Sequence, residues 1–468
     1  MLTWPCDYPG CQLRSIPQTG DCRICYKRLC KIHAFEPYHP CLELDEDERD
    51  ARDYANSEAA RTELLEIVRN AHLDKIASSM RNGHGCTIDI PNSGEAVLEG
   101  GVNLHLILTF DDGKKWCARI RKRNILAPTS AIRSMENQSE IASMKILNRI
   151  TNGIVPMVYE IPKDLQPNTD ELDFFFMDFV PGKPLNAPIL NGEETPEQMD
   201  QAVHDYALFQ ISLKSLSFDS IGSLYPAPSD LKPKPDTSPV VVGPLLSFYL
   251  RFDEAPHFVG PFKSNKERYL SSIDLVLGKI REGIFYPEIA RFAYLAHLEL
   301  KDMVNRYDHW ETCEDGRFYF KHGEDKGDHI MIDEDGHITG VLDWEWAYVT
   351  SKSEAFGSCN AFMDPKTFWH GNNSLSRLEL RLIEEYQTLG HPDLAECVKY
   401  GRLYQCLDVL VGRYPDLDFL NGIREIVTGD QHSFCDTDEY INWADDKYGS
   451  DEEYQRLILK SSNCRLEG

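Results

Sequence analysis

The chain has no apolar stretch approaching the roughly 20 residues that cross a bilayer, so a helical membrane span is not expected. It is also poor in basic charge. Lys and Arg number 49 against 76 Asp and Glu, a formal net charge of −27. Phosphate backbones select basic surfaces, so nucleic acid is not expected as the main partner. An acidic surface favours a cationic ligand, and it equally keeps a protein in solution. The N-terminus MLTWPCDYPGCQLR lacks the basic-then-apolar order of a secretory signal, so an intracellular, cytoplasmic location is expected. Cysteine is sparse after residue 41, and six of the 14 precede that point. Cys86, Cys117, Cys313, Cys359, Cys397, Cys406, Cys435 and Cys464 are scattered, the pattern of buried free thiols in an intracellular protein.

What is present is enough chain, 468 residues, for a catalytic domain of roughly 300–400 residues and a small extra module. The most informative stretch is 320–346, FKHGEDKGDHIMIDEDGHITGVLDWEW. A polar loop runs from His322-Gly323-Glu324 to His329, and the apolar strand Ile330–Ile332 follows. After a turn at Asp335-Gly336, a second apolar strand, Ile338–Leu342, delivers Asp343 at its end. Two acidic side chains and a third polar ligand on one hairpin suit a metal–nucleotide phosphotransfer site.

These residues resemble the catalytic segment of the aminoglycoside phosphotransferase-like, protein-kinase-like small-molecule kinases, most closely their fungal members. That family carries His-x-Asp-x-x-x-x-Asn, an apolar strand, a turn, and Asp-Trp or Asp-Phe. The resemblance implies that Glu324 takes the place of the catalytic Asp, His329 that of a metal-binding Asn, and Asp343 that of the metal-binding Asp. It implies ATP as donor, Mg²⁺ or Mn²⁺ as metal and a small-molecule hydroxyl as acceptor. It covers most of residues 90–360, and the fold it implies is α+β and bilobal, with a β-rich N-lobe and a helical C-lobe. Glu for Asp adds one methylene, and about 1 Å of misplacement can cost on the order of 100-fold in rate. Imidazole at 329 favours Mn²⁺ over Mg²⁺, and Asp325 or Asp328 offers an oxygen instead.

The β-rich half reads as strands up to Glu99, Val102–Phe110 and Lys115–Lys122, with Gly100-Gly101 at the first turn. A Gly-Gly turn lets backbone N–H groups approach anionic oxygens. By the same resemblance, Arg119 stands where a Lys contacts the α- and β-phosphates, with Arg121 and Lys122 as rivals if the register slips. Glu140, on the helix SEIASMKILNRI, stands where a Glu orients that cation. The run Phe174–Met177 leads into a hinge, where backbone near Met177–Phe179 would meet adenine. Further on, Gln198–Leu216, 284–306 and 376–413 read as helical and Leu224–Val242 as a loop, without repeats.

The first 41 residues hold Cys6, Cys11, Cys22, Cys25, Cys30, His33, His39 and Cys41, enough ligands for two tetrahedral zinc sites. So few apolar residues surround them that metal would have to supply the folding free energy. The spacing resembles the two-zinc cross-braced fingers of stress-associated and ubiquitin-linked proteins. Alternate ligand pairs share a metal in a cross-brace. The resemblance therefore implies one zinc on Cys6, Cys11, Cys30 and His33, and the other on Cys22, Cys25, His39 and Cys41. The module is either a protein-binding finger or a structural lid.

Four segments are expected: a zinc module over 1–45, an acidic linker and helix over 46–80, a nucleotide lobe over 81–180 and a helical lobe over 181–468. The acidic run Glu43–Asp53 reads as a solvated linker. Beyond it, Leu64, Leu65, Ile67, Val68 and Ile76 mark a helix that packs on the kinase lobe or docks a protein. Function divides two ways: an ATP-dependent phosphotransferase, or a non-catalytic pseudokinase scaffold engaging a partner through its finger. Arg119, Glu324 and His329 depart from the family pattern at the positions that do the chemistry.

Overall fold

The computed structural model describes residues 4–16, 20–35, 37–92, 97–166, 172–193, 195–228, 240–252, 255–307 and 316–464. Cys313 and residues 229–239 of the expected Leu224–Val242 loop lie outside them. The chain divides into two compact units, Met1–Pro181 and, from Gly182 onward, a second that resumes at Pro256.

The first unit follows its small N-terminal module with α1 (Glu46–Ala71) and α2 (Leu73–Met80). The acidic run is therefore mostly helix. Asp45 caps α1 by accepting from the Glu48 backbone N–H at 2.8 Å, and Glu46, Asp47 and Glu48 fill the first turn. Carboxylates there complement the positive end of the helix dipole, so the pattern read as solvated charge is a helix start. Next come β1 (Cys86–Ile88), β2 (Leu98–Glu99), β3 (Asn103–Phe110), β4 (Lys115–Arg121), α3 (Ser130–Ile150), β5 (Val158–Tyr159) and β6 (Phe174–Asp178). The strands form one antiparallel sheet in the order β1-β3-β4-β6-β5, with β2 on β3.

Alternation along β4 divides its side chains between two faces. Trp116, Ala118 and Ile120 join Leu64, Leu65, Val68, Leu73, Ile76 and Ala77 of α1 and α2 in one apolar cluster. Arg119 and Arg121 take the other face and meet α3. The helix expected after the acidic run thus packs on the sheet of its own unit.

The second unit is mainly helical, with three small sheets. Their strands are β7 (Lys183–Pro184), β8 (Ser217–Phe218), β9 (Leu224–Pro226), β10 (Val240–Val242), β11 (Phe318–Lys321), β12 (Ile330–Ile332), β13 (Ile338–Val341) and β14 (Tyr348–Thr350). They pair as β13-β12-β7, β14-β11-β8 and β10-β9, so the two described ends of the expected 224–242 loop pair as antiparallel strands. The helix expected over 198–216 runs Pro196–Leu213, capped by Thr195. The stretch 376–413 breaks into Arg377–Thr388, Pro392–Lys399 and Arg402–Leu410. Among the thiols expected to be buried, Cys117, Cys359, Cys397 and Cys406 are, whereas Cys86 is half-buried and Cys435 exposed.

The apolar core of this unit joins the helices Asn265–Arg281 and Ala290–Arg306 to Leu407, Phe419, Ile423 and Tyr440. Glu299 is buried within it, held by the Arg424 guanidinium at 2.8 Å and the Tyr440 hydroxyl at 3.0 Å. His297 is fully buried, donates from Nδ1 to the Ala293 carbonyl at 2.7 Å, and is pushed down to about 4 by burial. Between the usual value of 6.5 and about 4, the unfolded chain binds a proton that the native state refuses. This group therefore removes stability as pH falls through that window, by about 1.4 kcal/mol per pH unit. His297→Gln is expected to flatten the dependence of the urea midpoint on pH between 6.5 and 4. An unchanged slope would contradict this assignment.

Candidate active site and a candidate N-terminal metal centre

The strongest convergence of ligating side chains is in the N-terminal module. Cys6, Cys11, Cys30 and His33 bring their ligand atoms within 4.8 Å of one another, and so do Cys22, Cys25, His39 and Cys41. Among the described residues these are the two such groups of three or more. Cys11 and Cys30 sulfurs lie 3.9 Å apart, and Cys30 sulfur lies 3.4 Å from His33 Nδ1. Tetrahedral zinc with ~2.3 Å Zn–S bonds requires sulfur–sulfur edges of about 3.8 Å, so the donor geometry fits. His39 directs Nδ1 at the Ala34 carbonyl at 3.0 Å, leaving Nε2 toward Cys25 at 3.8 Å. That carbonyl fixes the ring as an outer partner of a ligating histidine does. Burial, with the Cys22 and Cys41 sulfurs beside it, pushes the Cys25 thiol up to about 12, a crowding that a dication would relieve.

The module is seated on α1. Asn56 donates its side-chain amide to the carbonyls of Arg23 and Ile24 at 2.8 and 2.9 Å, and Arg23 pairs with Asp53 at 2.7 Å. Arg28 covers the Trp4 ring and donates to the carbonyl of Ile125, beyond β4.

In the sheet, Arg119 Nε meets Glu140 at 3.0 Å, with both side chains nearly inaccessible, and Nη1 lies 3.3 Å from His105. Sequence reasoning gave Arg121 only as a rival to Arg119. It forms a second buried pair, with Glu136. The signal was available: Arg119 and Arg121 share a strand face at a spacing of two, and Glu136 and Glu140 a helix face at a spacing of four. Gly100 and Gly101 lie in the β2–β3 turn, where an added Cβ would meet nothing within 4 Å. The turn itself does not demand glycine there. Met177 lies within the sheet opposite Cys117 and Val158, and the Phe179 N–H donates to the Lys115 carbonyl at 3.3 Å.

In the second unit the expected hairpin is β12–β13. The Asp333 carboxylate accepts from the backbone of Asp335 and His337 at 3.0 and 2.9 Å to form its turn. Asp205 anchors it by accepting from the Ile338 N–H at 3.0 Å. Asp343 follows β13 with φ +56°, a left-handed backbone that costs a non-glycine residue energy and recurs at functional sites.

His322 joins this residue's strand to the polar loop. Its Nε2–H donates to the Leu342 carbonyl at 2.8 Å, and its Nδ1 accepts from the Glu324 N–H at 3.2 Å. Burial, followed by the neighbouring His329, pushes His322 down to about 3, which preserves the neutral ring this arrangement needs. Gly323 is sterically required between them, since a Cβ would come within 2.4 Å of the Trp346 carbonyl oxygen.

His329 stacks on His322 at 3.9 Å and directs Nε2 at Asp325 at 3.2 Å, while Nδ1 faces Asp328 at 3.8 Å. Burial opposes its charge, but Asp325 and Asp328 outweigh that and hold it up at about 9. The Gly327 N–H also points at Nδ1, at 3.3 Å. Asp343 is close enough to act electrostatically on both Asp328 and His322. Glu324 is half-buried and paired with Lys326, a partner the sequence reading missed although it lies two residues away.

The family model of the phosphotransferase enzyme family, APH, matches residues 107–351, which include Arg119, Glu140, the 322–329 loop and Asp343. More than half of the chain is matched, and the chain belongs to that family. The α+β organisation, with a sheet-rich N-terminal unit and a helical C-terminal one, is that of a kinase-like phosphotransferase. A comparison with curated proteins found no match in sequence. Solved structures similar to this chain include the gentamicin complex of APH(2")-IIa, at 13% identity and TM-score 0.43, covering 78% of this chain and 96% of that one. A thermostable mutant of aminoglycoside phosphotransferase APH(4)-Ia is 13% identical with TM-score 0.40, at 83% and 99% coverage. Plasmodium vivax ethanolamine kinase is 10% identical with TM-score 0.37, at 77% and 83% coverage. Family membership rests on the family model and not on these likenesses. No helix among the described residues is long and apolar enough to cross a membrane.

Proposed function

We propose that this protein transfers the γ-phosphoryl group of ATP to a hydroxyl of a small molecule. One observation supports the reading beyond family membership. A single neutral histidine, His322, ties the backbone of Glu324 to the residue preceding Asp343, so the two carboxyl-bearing segments are held in register.

In the reaction the acceptor oxygen forms a bond to phosphorus, the bond to the ADP oxygen breaks, and the hydroxyl proton passes to Glu324. Lys326 neutralises Glu324 before substrate arrives. Bound Mg²⁺ or Mn²⁺ would offset charge on the phosphate oxygens, a role served by oxygen donors. Asp343 fits as one ligand, with Asp325 or Asp328 as the second. His329 Nε2 faces Asp325 at 3.2 Å and would orient that carboxylate or serve as the nitrogen ligand in its place. Arg119, held by Glu140, would meet phosphate oxygens, Gly100 and Gly101 would leave room for them, and the Met177–Phe179 segment would border adenine. The N-terminal module would hold two Zn²⁺, and its seat on α1 supports a structural role over a free protein-binding finger. Buried free thiols across the chain support a cytoplasmic location.

A nucleotide-binding scaffold without turnover is the second reading. It is favoured by the engagement of Arg119, Glu324 and His329 with neighbouring side chains. Thermal shift with ATP and Mg²⁺ or Mn²⁺, followed by turnover of Glu324→Gln, separates the two. The variant is expected to keep the ATP-induced shift and lose turnover by about 10²–10⁴-fold. Turnover unaffected by the substitution would remove Glu324 from the mechanism, and no shift with either metal would end the phosphotransferase reading.

A further inference from the structure

Glu324 lies on the wall of a cavity of about 120 Å³ within the second unit. Five aromatic side chains, Phe248, Tyr249, Tyr269, Trp346 and Tyr348, line it. Phe248 meets Tyr249 and Trp346 edge-on, with ring centroids at 5.0 and 5.3 Å. A smaller pocket of about 50 Å³ adjoins it, sharing Gly323, Glu324, Asp408 and Arg413.

The charges around this space balance, although the chain as a whole carries −27. Asp408 pairs with Arg413 at 3.3 Å, Arg268 with Glu354 at 2.9 Å, and Glu324 with Lys326. Lys321 and Asp325 complete the set. Burial opposes the charge of Arg413, but Asp408 first and Glu324 after it raise its pKa electrostatically. Arg413 therefore lines the same two pockets as the carboxylate that would receive an acceptor. The surface acidity read from composition does not extend to this wall.

Resting on the reading of Glu324 as the group that handles the acceptor, we propose that the acceptor is an uncharged hydroxyl compound with one ring, and not a polyamine. A cation entering here would meet no net attraction and would have to displace Arg413 or Lys326. A neutral ring can lay an apolar face on Phe248 and Trp346 and offer hydroxyls to Glu324 and Asp408. The size allows no more than about one ring: an enclosed cavity of roughly 150 Å³ holds one benzene, and this space of about 120 Å³ opens to solvent. The shared requirement is an uncharged ring carrying a hydroxyl, which either a sugar or an aryl alcohol supplies.

The test is saturation-transfer NMR on the full chain at physiological salt. The uncharged probes are methyl glucoside and benzyl alcohol, and the cationic probes are ethanolamine and gentamicin. At least one uncharged probe is expected to bind, with its signal falling at least fivefold in Phe248→Ala and restored in Phe248→Tyr. The ATP-induced thermal shift checks that each variant is folded. Which uncharged probe responds tells sugar from aryl alcohol. Preferential binding of the cationic probes, abolished in Asp408→Asn, would overturn the proposal. Binding of neither class in a manner dependent on Phe248 would overturn it equally. ADP release is measured separately. An uncharged probe that binds but elicits no ADP release with Mg²⁺ or Mn²⁺ would support this ligand chemistry for the cavity while ending the phosphotransferase reading.

Discussion

Asp343→Asn is expected to reduce ATP turnover by about 10²–10³-fold, the range seen when one charge-stabilising group is removed from a reacting centre. The substitution isolates charge unusually well. Asp343 has φ +56°, and Asn adopts left-handed backbone more readily than most residues, so the turn after β13 survives. The amide retains the shape and an acceptor oxygen but loses the negative charge that holds a divalent ion against phosphate. ADP release with Mg²⁺ and with Mn²⁺ measures the effect, and the metal-dependent part of the ATP-induced thermal shift should shrink with it. Unimpaired turnover would remove Asp343 from the chemistry.

The second large effect concerns zinc. Structural zinc contributes about 10–16 kcal/mol to small metal-folded modules. This module has little else to hold it, with Ile16, Leu29 and Ala34 among its few buried apolar residues. Metal analysis should find two zinc ions per chain, and Cys30→Ser should lose one. Chelation should unfold the module and free the start of α1, because Asp53 and Asn56 are anchored on Arg23 and Ile24. The later part of α1 should persist, since Leu64, Leu65 and Val68 are buried against the sheet. Limited proteolysis would then cut near residues 45–56 and spare the rest of the helix. A digestion pattern indifferent to chelator would contradict this account.

Much of the fold was legible because local patterns and tertiary packing agree. The β3 and β4 boundaries fall within a residue of the alternating runs that predicted them, since the pleat forces that alternation once one face is buried. The acidic run was misread because charge composition outweighed a capping signal, Asp45 followed three residues later by Glu48. The eight N-terminal cysteine and histidine side chains group in space as the resemblance to cross-braced fingers implied. Other features had no local signature. The Asp408–Arg413 pair and Phe248 reach Glu324 only through tertiary folding, and no periodicity marks such a meeting. The surroundings of His329 were equally hidden, because two carboxylates and a buried ring stack meet it only in the folded chain.

The two buried rungs between β4 and α3 restrict how this protein can be switched off. Rocking the helix away from the strand would strand four charges, Arg119, Arg121, Glu136 and Glu140, in a place prepared for neutralised ones. Breaking a buried pair costs about 3–5 kcal/mol, so two together oppose such a displaced state strongly. Control by helix displacement is therefore disfavoured, and any inhibitory input has to act elsewhere, at the polar loop or at the entrance for the acceptor.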